Sequence, residues 1–237
     1  MAAARAALAR AYLRTGDYEA VDTIVAQALA AARSVGDRGA EAAAVALQGM
    51  TLHFRAIELP PEERSAIDPS DEQELFEQAL ATRREIEDVE GVAESLFQLG
   101  LVHQVLRRDL EAGSPFFREA LELVEELPDA DALLRSEIHR HVGFDLLVRE
   151  ERYEPAIEHL ERSLELRRGL AERGWLASAL VALSLAHRFA GQADSAVVCA
   201  RQSLEVATGE ELRARFVTAA EDALAAAEEL AALQRGT

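Results

Sequence analysis

From Gly91 to Leu121 the apolar and polar positions run in two phases. Leu96, Leu99, Gly100 and His103, with Leu106 or Arg107 beyond them, recur at steps of three and four, the spacing that puts side chains on one side of an α-helix. Arg107, Arg108 and Asp109 interrupt that stripe, and it resumes with Leu110, Phe117, Ala120 and Leu121. The pattern predicts two helices folded back as a hairpin, with Gly100 leaving room where another helix comes close. Such a hairpin cannot bury its outer faces alone, so similar pairs are expected on either side of it.

The same phase changes divide the rest of the chain. A first pair is expected over 2–14 and 18–34, joined by Thr15, Gly16 and Asp17. A long helix over 38–57 opens a second pair, and the loop 58–69 follows, where Pro60 and Pro61 cannot continue a helix. Ser70 reads as the N-cap of the next helix with Gln73 three residues on, a capping box. In the third pair Pro115 would lie inside a helix that began at Asp109, so Ser114 is expected to cap a helix starting at Pro115, with 109–113 as a separate turn. The fourth pair is placed over 130–149 and 153–168, with Pro155 in a first turn, and the fifth over 174–190 and 193–207. A last helix over 210–234 mixes Ala and Leu with Glu and reads as a terminal cap. Two roles are open for the loop 58–69: a lid over a groove, or a tolerated surface excursion.

Near the N-terminus Leu8, Ala9, Tyr12, Gly16, Asp17, Tyr18, Val21, Val25 and Ala28 spell LAxxYxxxGDYxxVxxxVxxA, which resembles a tetratricopeptide repeat. Similar sets follow with Val142, Gly143, Leu146, Tyr153, Ala156, Leu160 and Ser163, and with Leu183, Ser184, His187, Gly191, Ala196, Ala200 and Ser203. The resemblance covers nearly the whole chain, although the helices exceed the minimal repeat and the family's Trp and closing Pro are mostly missing. It implies an all-α fold: a right-handed α-solenoid of about five helix-turn-helix repeats with a C-terminal capping helix, taken as a single domain over 1–237. It speaks for fold and leaves function to the side chains.

Composition agrees with helix. Ala, Leu, Glu and Arg dominate, and β-branched clusters between turns are absent. Lys and Asn are missing altogether while Arg abounds, the signature of a GC-rich bacterial genome. A net charge of −18 repels a phosphate backbone and excludes nucleic acid as the expected partner. It suits solubility first and a basic partner second. No run approaches a membrane span, and the Arg-broken N-terminus reads as a helix rather than a signal segment. The single cysteine, Cys199, cannot form an internal disulfide, which agrees with a cytoplasmic setting, and it reads as a buried small hydrophobe.

The resemblance also implies a curved inner wall lined by the first helix of each pair. It would collect Arg10 and Leu13, then Met50, His53 and Phe54, then Glu94, Phe97, Leu101 and Gln104. The wall would continue with Glu137, Arg140, Phe144 and Leu147, then Val181, Leu185, Arg188 and Phe189. These sets are mostly aromatic and aliphatic, a profile for an apolar ligand or helix, unless the groove closes and they are core. The sharpest constellation is SEIHRHVGFD over 136–145. There Glu137, His141 and Asp145 fall four apart on one stripe, Arg140 sits beside Glu137, and His103 and Gln104 are expected to come near from the neighbouring first helix. A carboxylate on either side would raise the imidazole's pKa and orient it. An ion-pair network along the helix explains the same residues without a ligand.

No catalytic or phosphate-binding motif is present, so a binding protein is expected rather than an enzyme, with no cofactor and no metal. His139 and His141 point about 200° apart on a helix and cannot share one ion. His159 reads as isolated and exposed, and His187 as an interhelix packing residue. Two functions remain. One is an interaction module whose apolar groove binds a partner peptide, helix or protein, with association between copies as a further use of that surface. The other is a small-molecule site, with or without catalysis, centred on His103, Glu137, Arg140 and His141.

Overall fold

The computed structural model describes residues 5, 7, 8, 11 and 16–236. Its helices are α1 (Tyr18–Val35), α2 (Arg38–Glu58), α3 (Pro61–Arg64), α4 (Ser70–Glu85) and α5 (Val89–Leu101), which passes into a π-helical turn over Val102–Leu106. They continue with α6 (Leu110–Glu125), α7 (Ala132–Val148), α8 (Tyr153–Arg168), α9 (Arg173–Phe189), α10 (Ala193–Gly209) and α11 (Ala214–Arg235). Among the described residues there is no strand, and the all-α repeat fold is the one expected. The chain divides into two compact units, Met1–Pro128 and Asp129–Thr237. In the first, α2 pairs with α4 and α5 with α6, with α1 against α2. In the second, α7 pairs with α8 and α9 with α10, and α11 covers α9 and α10.

The turns repeat one device. A residue in the left-handed region (Gly16, Gly36, Glu87 or Arg108) precedes an aspartate that caps the next helix. Asp17, Asp37, Asp88 and Asp109 each accept from a backbone N–H three residues on, at 2.9–3.1 Å. The carboxylate satisfies one of the orphan donors of the first turn and sits at the positive end of the helix dipole. At Gly36 the left-handed cap also turns its N–H onto the carbonyls of Ala32 and Arg33, closing α1.

The second helix of each pair buries four residues at a common spacing of four, three and four. The sets are Val21, Val25, Ala28 and Ala32; Glu72, Phe76, Ala79 and Arg83; Gly113, Phe117, Ala120 and Val124; Ala156, Leu160, Ser163 and Arg167; and Ala196, Ala200, Ser203 and Ala207. Opposite the second residue of each of the last four sets the first helix carries a small one. A Cβ on Gly49 would lie 2.5 Å from the Phe76 ring, one on Gly100 2.6 Å from the Phe117 ring, and one on Gly143 2.9 Å from Leu160. In the fifth pair that place is held by Ser184, whose hydroxyl donates to the Ala196 carbonyl at 2.8 Å.

Three local expectations are corrected. Helix α6 starts at Leu110 and runs through Pro115, rather than starting at Pro115 under a Ser114 cap. Asp109 caps it, accepting from Ala112 at 2.9 Å, so the helix is already wound when it meets the proline, which forfeits one backbone bond in the second turn. Gly113 holds that start in place, because a Cβ there would come within 3.2 Å of the Gly100 carbonyl and 3.3 Å of Gln104. Ser70 is the first helical residue of α4 rather than its cap, and both its N–H and its hydroxyl bond to Asp68, which lowers the Asp68 pKa. Within 58–69 the chain makes the short helix α3, and Arg64 donates to the carbonyls of Ile57 and Leu59 at 2.6 and 3.0 Å, fastening the loop to the end of α2.

A helix-interior Gly→Ala change ordinarily gains about 0.5–1 kcal/mol. Gly100→Ala is expected to reverse that sign and destabilise the chain by about 1–3 kcal/mol, through overpacking against Phe117. The double variant with Phe117→Leu should recover part of the loss. Chemical denaturation of the three variants measures both.

Candidate functional site

Counted from the small residue at each crossing, the wall positions of the first helices fall into register. Three residues before it stand Ala46, Phe97, Arg140 and Val181, and one after it Met50, Leu101, Phe144 and Leu185. Four and five after it stand His53 and Phe54, Gln104 and Val105, Leu147 and Val148, and Arg188 and Phe189. Six before it come Glu94 and Glu137. Arg10 and Leu13 lie outside the described residues.

In the first unit much of this wall is core. Ala46, His53, Phe97, Leu101 and Gln104 are buried, while Met50, Phe54, Glu94 and Val105 are half-buried. His53 is taken up by Glu72, its Nδ1 lying 2.8 Å from Oε1 with both side chains buried. Arg83, also buried, donates to the Ser95 hydroxyl at 2.6 Å and to Glu94, tying α4 to the start of α5. His103 lies in the π-helical turn, half-buried and stacked on Phe116 with ring centroids 5.4 Å apart. Burial holds its pKa below the ordinary imidazole value and Arg107 adds to the effect, with Asp109 and Glu77 opposing.

In the second unit the nominated cluster closes around a residue on α8. Arg167 is fully buried, and its guanidinium donates to Glu137 at 2.5 Å, Ser136 at 3.1 Å, Ser178 at 2.9 Å and the Trp175 carbonyl at 3.0 Å. Its carbon centre lies 5.7 Å from the Trp175 ring. Burial lowers the Arg167 pKa, with Glu137 opposing. The outer oxygen of Glu137 stands 3.8 Å from His141 and 3.9 Å from Arg140, and Arg140 donates to His141 Nε2 at 3.2 Å. So Glu137, Arg140 and His141 do converge, on Arg167 as well as on one another. Asp145, the acid in an apolar run, is buried and accepts both N–H groups of Arg149 at 2.7 and 2.8 Å.

Two histidine readings change. His159 is half-buried rather than exposed and isolated, because its Nδ1 lies 2.9 Å from Nδ1 of His139 across the α7 and α8 pair. His187 bonds to Gln192 at 2.6 Å at the turn that follows its helix. Cys199 is buried, and burial raises its thiol pKa, with Glu161 adding to the shift. Among the described residues no three His, Cys, Asp or Glu side chains gather as metal ligands. None of the helices searched there is long and apolar enough to cross a membrane.

What remains accessible on the wall lies on α7 and α9. Arg140, Phe144, Val181, Leu185 and Arg188 are half-buried, while Val148 is 39% and Phe189 47% exposed. The sequence reading missed Glu72, Arg83 and Arg167 because it followed first helices only. The signal was the register of the second helices, in which Glu72 stands where other pairs have Val, Gly or Ala, and Arg83 and Arg167 where others have Ala or Val.

A family model described as tetratricopeptide repeat matches residues 136–209, the stretch from α7 to the end of α10. No curated protein matches the sequence. Among solved structures, BtubC (BKLC) from P. vanneervenii is similar with a TM-score of 0.61 at 19% identity, over 86% of this chain and 78% of that one. RapI in its apo form is similar with a TM-score of 0.62 at 14% identity, over 99% of this chain and 72% of that one. A signal transduction ATPase with numerous domains and a tetratricopeptide repeat sensor, PH0952 from Pyrococcus horikoshii, gives a TM-score of 0.63 at 16% identity. That match covers 97% of this chain and 33% of the ATPase. At these identities the likeness is one of fold.

Arg167→Ala should unfold the second unit at lower denaturant, with a loss of about 3–5 kcal/mol, since it leaves the half-buried Glu137 carboxylate without the guanidinium that offsets its desolvation. Arg167→Lys should recover only part, because an ammonium cannot reproduce the guanidinium fork. Trp175, the chain's one tryptophan and in contact with Arg167, reports the transition by fluorescence. For His103 the sign runs downward with pH. The folded state resists the proton that the unfolded chain accepts near 6.5, so stability is lost as pH falls from there through the lowered pKa. Proton NMR should place the His103 titration below that of a reference peptide, and His103→Gln should remove its part of the acid loss.

Proposed function

From the premise that the chain is a tetratricopeptide-repeat protein, we propose that it is a protein-interaction module that binds an apolar peptide or helix of a partner along α7 and α9. One observation carries this reading. Large apolar side chains stand accessible at the same register positions of two consecutive first helices, Phe144 with Val148 and Leu185 with Phe189. Side chains at that spacing present one row per helix, the arrangement that receives the apolar face of a partner segment. Arg140 and Arg188 supply half-buried cations beside the rows and can take up acidic or carbonyl groups of the same segment. The small-molecule reading has less support, because the carboxylate at its centre, Glu137, is already committed to Arg167.

A photoreactive amino acid placed at Leu185 tests the proposal in extract from the source cells. The expected product is a discrete crosslinked protein, reduced about tenfold by Val148→Glu with Phe189→Glu while the melting temperature stays within about 2 °C. Crosslinking that survives both substitutions would overturn it. Small-molecule affinity lost in Arg140→Ala or His141→Ala at an unchanged melting temperature would favour the second reading instead.

A further inference from the structure

On the side of the second unit formed by its second helices, α8 and α10 leave between them a groove of about 740 Å3. Its floor is apolar and comes from three helices, with Leu164 of α8, Leu183 of α9 and Cys199 of α10 all buried. Val198 stands in its wall with 53% of its surface exposed. A second hollow of about 530 Å3, bordered by α10 and α11, shares Val198 and Asp194 with the first. Val198 is the ridge between the two, and the larger of them is an open trough. An aliphatic side chain left in water at the edge of an apolar hollow is a feature of recognition sites rather than of solvated helix faces.

The rim settles which chemistry fits. Arg162 is neutralised by Glu165 at 2.5 Å. That leaves Glu158, Glu161 and Asp194 facing the groove against Arg168 alone, so the rim is net negative over an apolar floor. The field of Glu161 reaches that floor, where it adds to the upward shift of the Cys199 thiol. An acidic rim repels nucleic acid and the anionic headgroups of a membrane, and it attracts Lys and Arg side chains. The whole chain, at −18, adds long-range attraction of the same sign.

We infer that this trough docks a cationic amphipathic segment of another protein, one apolar row against Leu183 and Val198 and basic side chains over Glu158, Glu161 and Asp194. The surface is formed by α8 and α10 over Leu183 and His187 of α9 and includes none of Phe144, Val148, Leu185 and Phe189, so the two proposals stand or fall independently.

The probe is a designed Leu/Lys helix of about five turns with apolar residues at helical spacing, labelled for fluorescence anisotropy, against the intact chain. A Leu/Glu helix of the same pattern serves as its counterpart. Binding of the basic peptide should weaken about tenfold in Glu158→Lys with Glu161→Lys, and by a similar factor in Val198→Asp, whose side chain is exposed and whose fold should be unaffected. The pair Glu122→Lys on α6 with Glu126→Lys just past its end, exposed and of equal charge change, should weaken it less than about twofold. Cys199 gives a second readout as the one thiol in the chain: bound basic peptide should slow its reaction with a soluble disulfide reagent at least threefold. Equal losses in the two charge-reversal pairs would assign binding to net charge and overturn the site. So would unchanged thiol reactivity, or equal binding of the acidic peptide.

Discussion

The crossing of a small residue on the first helix with a bulky one on the second is the contact on which the rest of this structure depends. Where Gly49, Gly100 or Gly143 meets Phe76, Phe117 or Leu160, the missing Cβ lets the two helices approach until ring or branched methyls rest on backbone. That closeness fixes the register of the pair. Once it is fixed, the residues four before, three after and seven after the bulky one are buried as well, and the side chains one and five after the small one are turned away from the crossing. Core and candidate surface are therefore set by one geometric choice repeated along the chain. Ser184 shows the tolerance of the scheme: a hydroxyl fits if its partner is Ala200 and it can give its proton to the Ala196 carbonyl.

Against that register the buried charges stand out. Glu72 occupies a place that is Val, Gly or Ala in the other pairs, and His53 answers it from α2. Arg83 and Arg167 occupy places that elsewhere hold Ala or Val, and each finds acceptors on the helix that follows, 11 positions on in both cases: Glu94 for Arg83 and Ser178 for Arg167. A charge is retained in such a position where charged and polar partners offset its desolvation. On the following helix the acceptors are an acid and a hydroxyl for Arg83, and a hydroxyl and a backbone carbonyl for Arg167. The same device is thus built twice from different parts.

Fold was legible in the letters because its signals are local. Apolar spacing, the Gly-Asp turns and the small residue of the crossing each act within a few residues, and the helices fall within a few positions of their expected ends. Pro115 misled because proline's cost is also local, whereas Asp109 and the contact of Gly113 with Gly100 and Gln104, which outweigh it, depend partly on another helix. The site was legible only in part. Glu137, Arg140 and His141 come together as their spacing on one helix requires. Arg167, which organises them, arrives from a different helix about thirty residues on. His139 and His159 meet for the same reason, a register between helices that no single-helix pattern contains.

That every cation here is arginine bears on how the surface is held. The absence of lysine fits a GC-rich codon bias, yet at Arg167 it also meets a physical need. Four acceptors on α7 and α9 surround that one buried side chain, and only a planar fork with several N–H donors can serve them together. Because the four are shared between α7 and α9, the fork also sets how those helices lie against each other. The apolar rows of Phe144 with Val148 and Leu185 with Phe189 sit on these same two helices. A residue wholly out of contact with solvent therefore fixes the spacing at which the exposed rows are offered, so that rigidity in the core and readiness of the surface are two results of one set of hydrogen bonds.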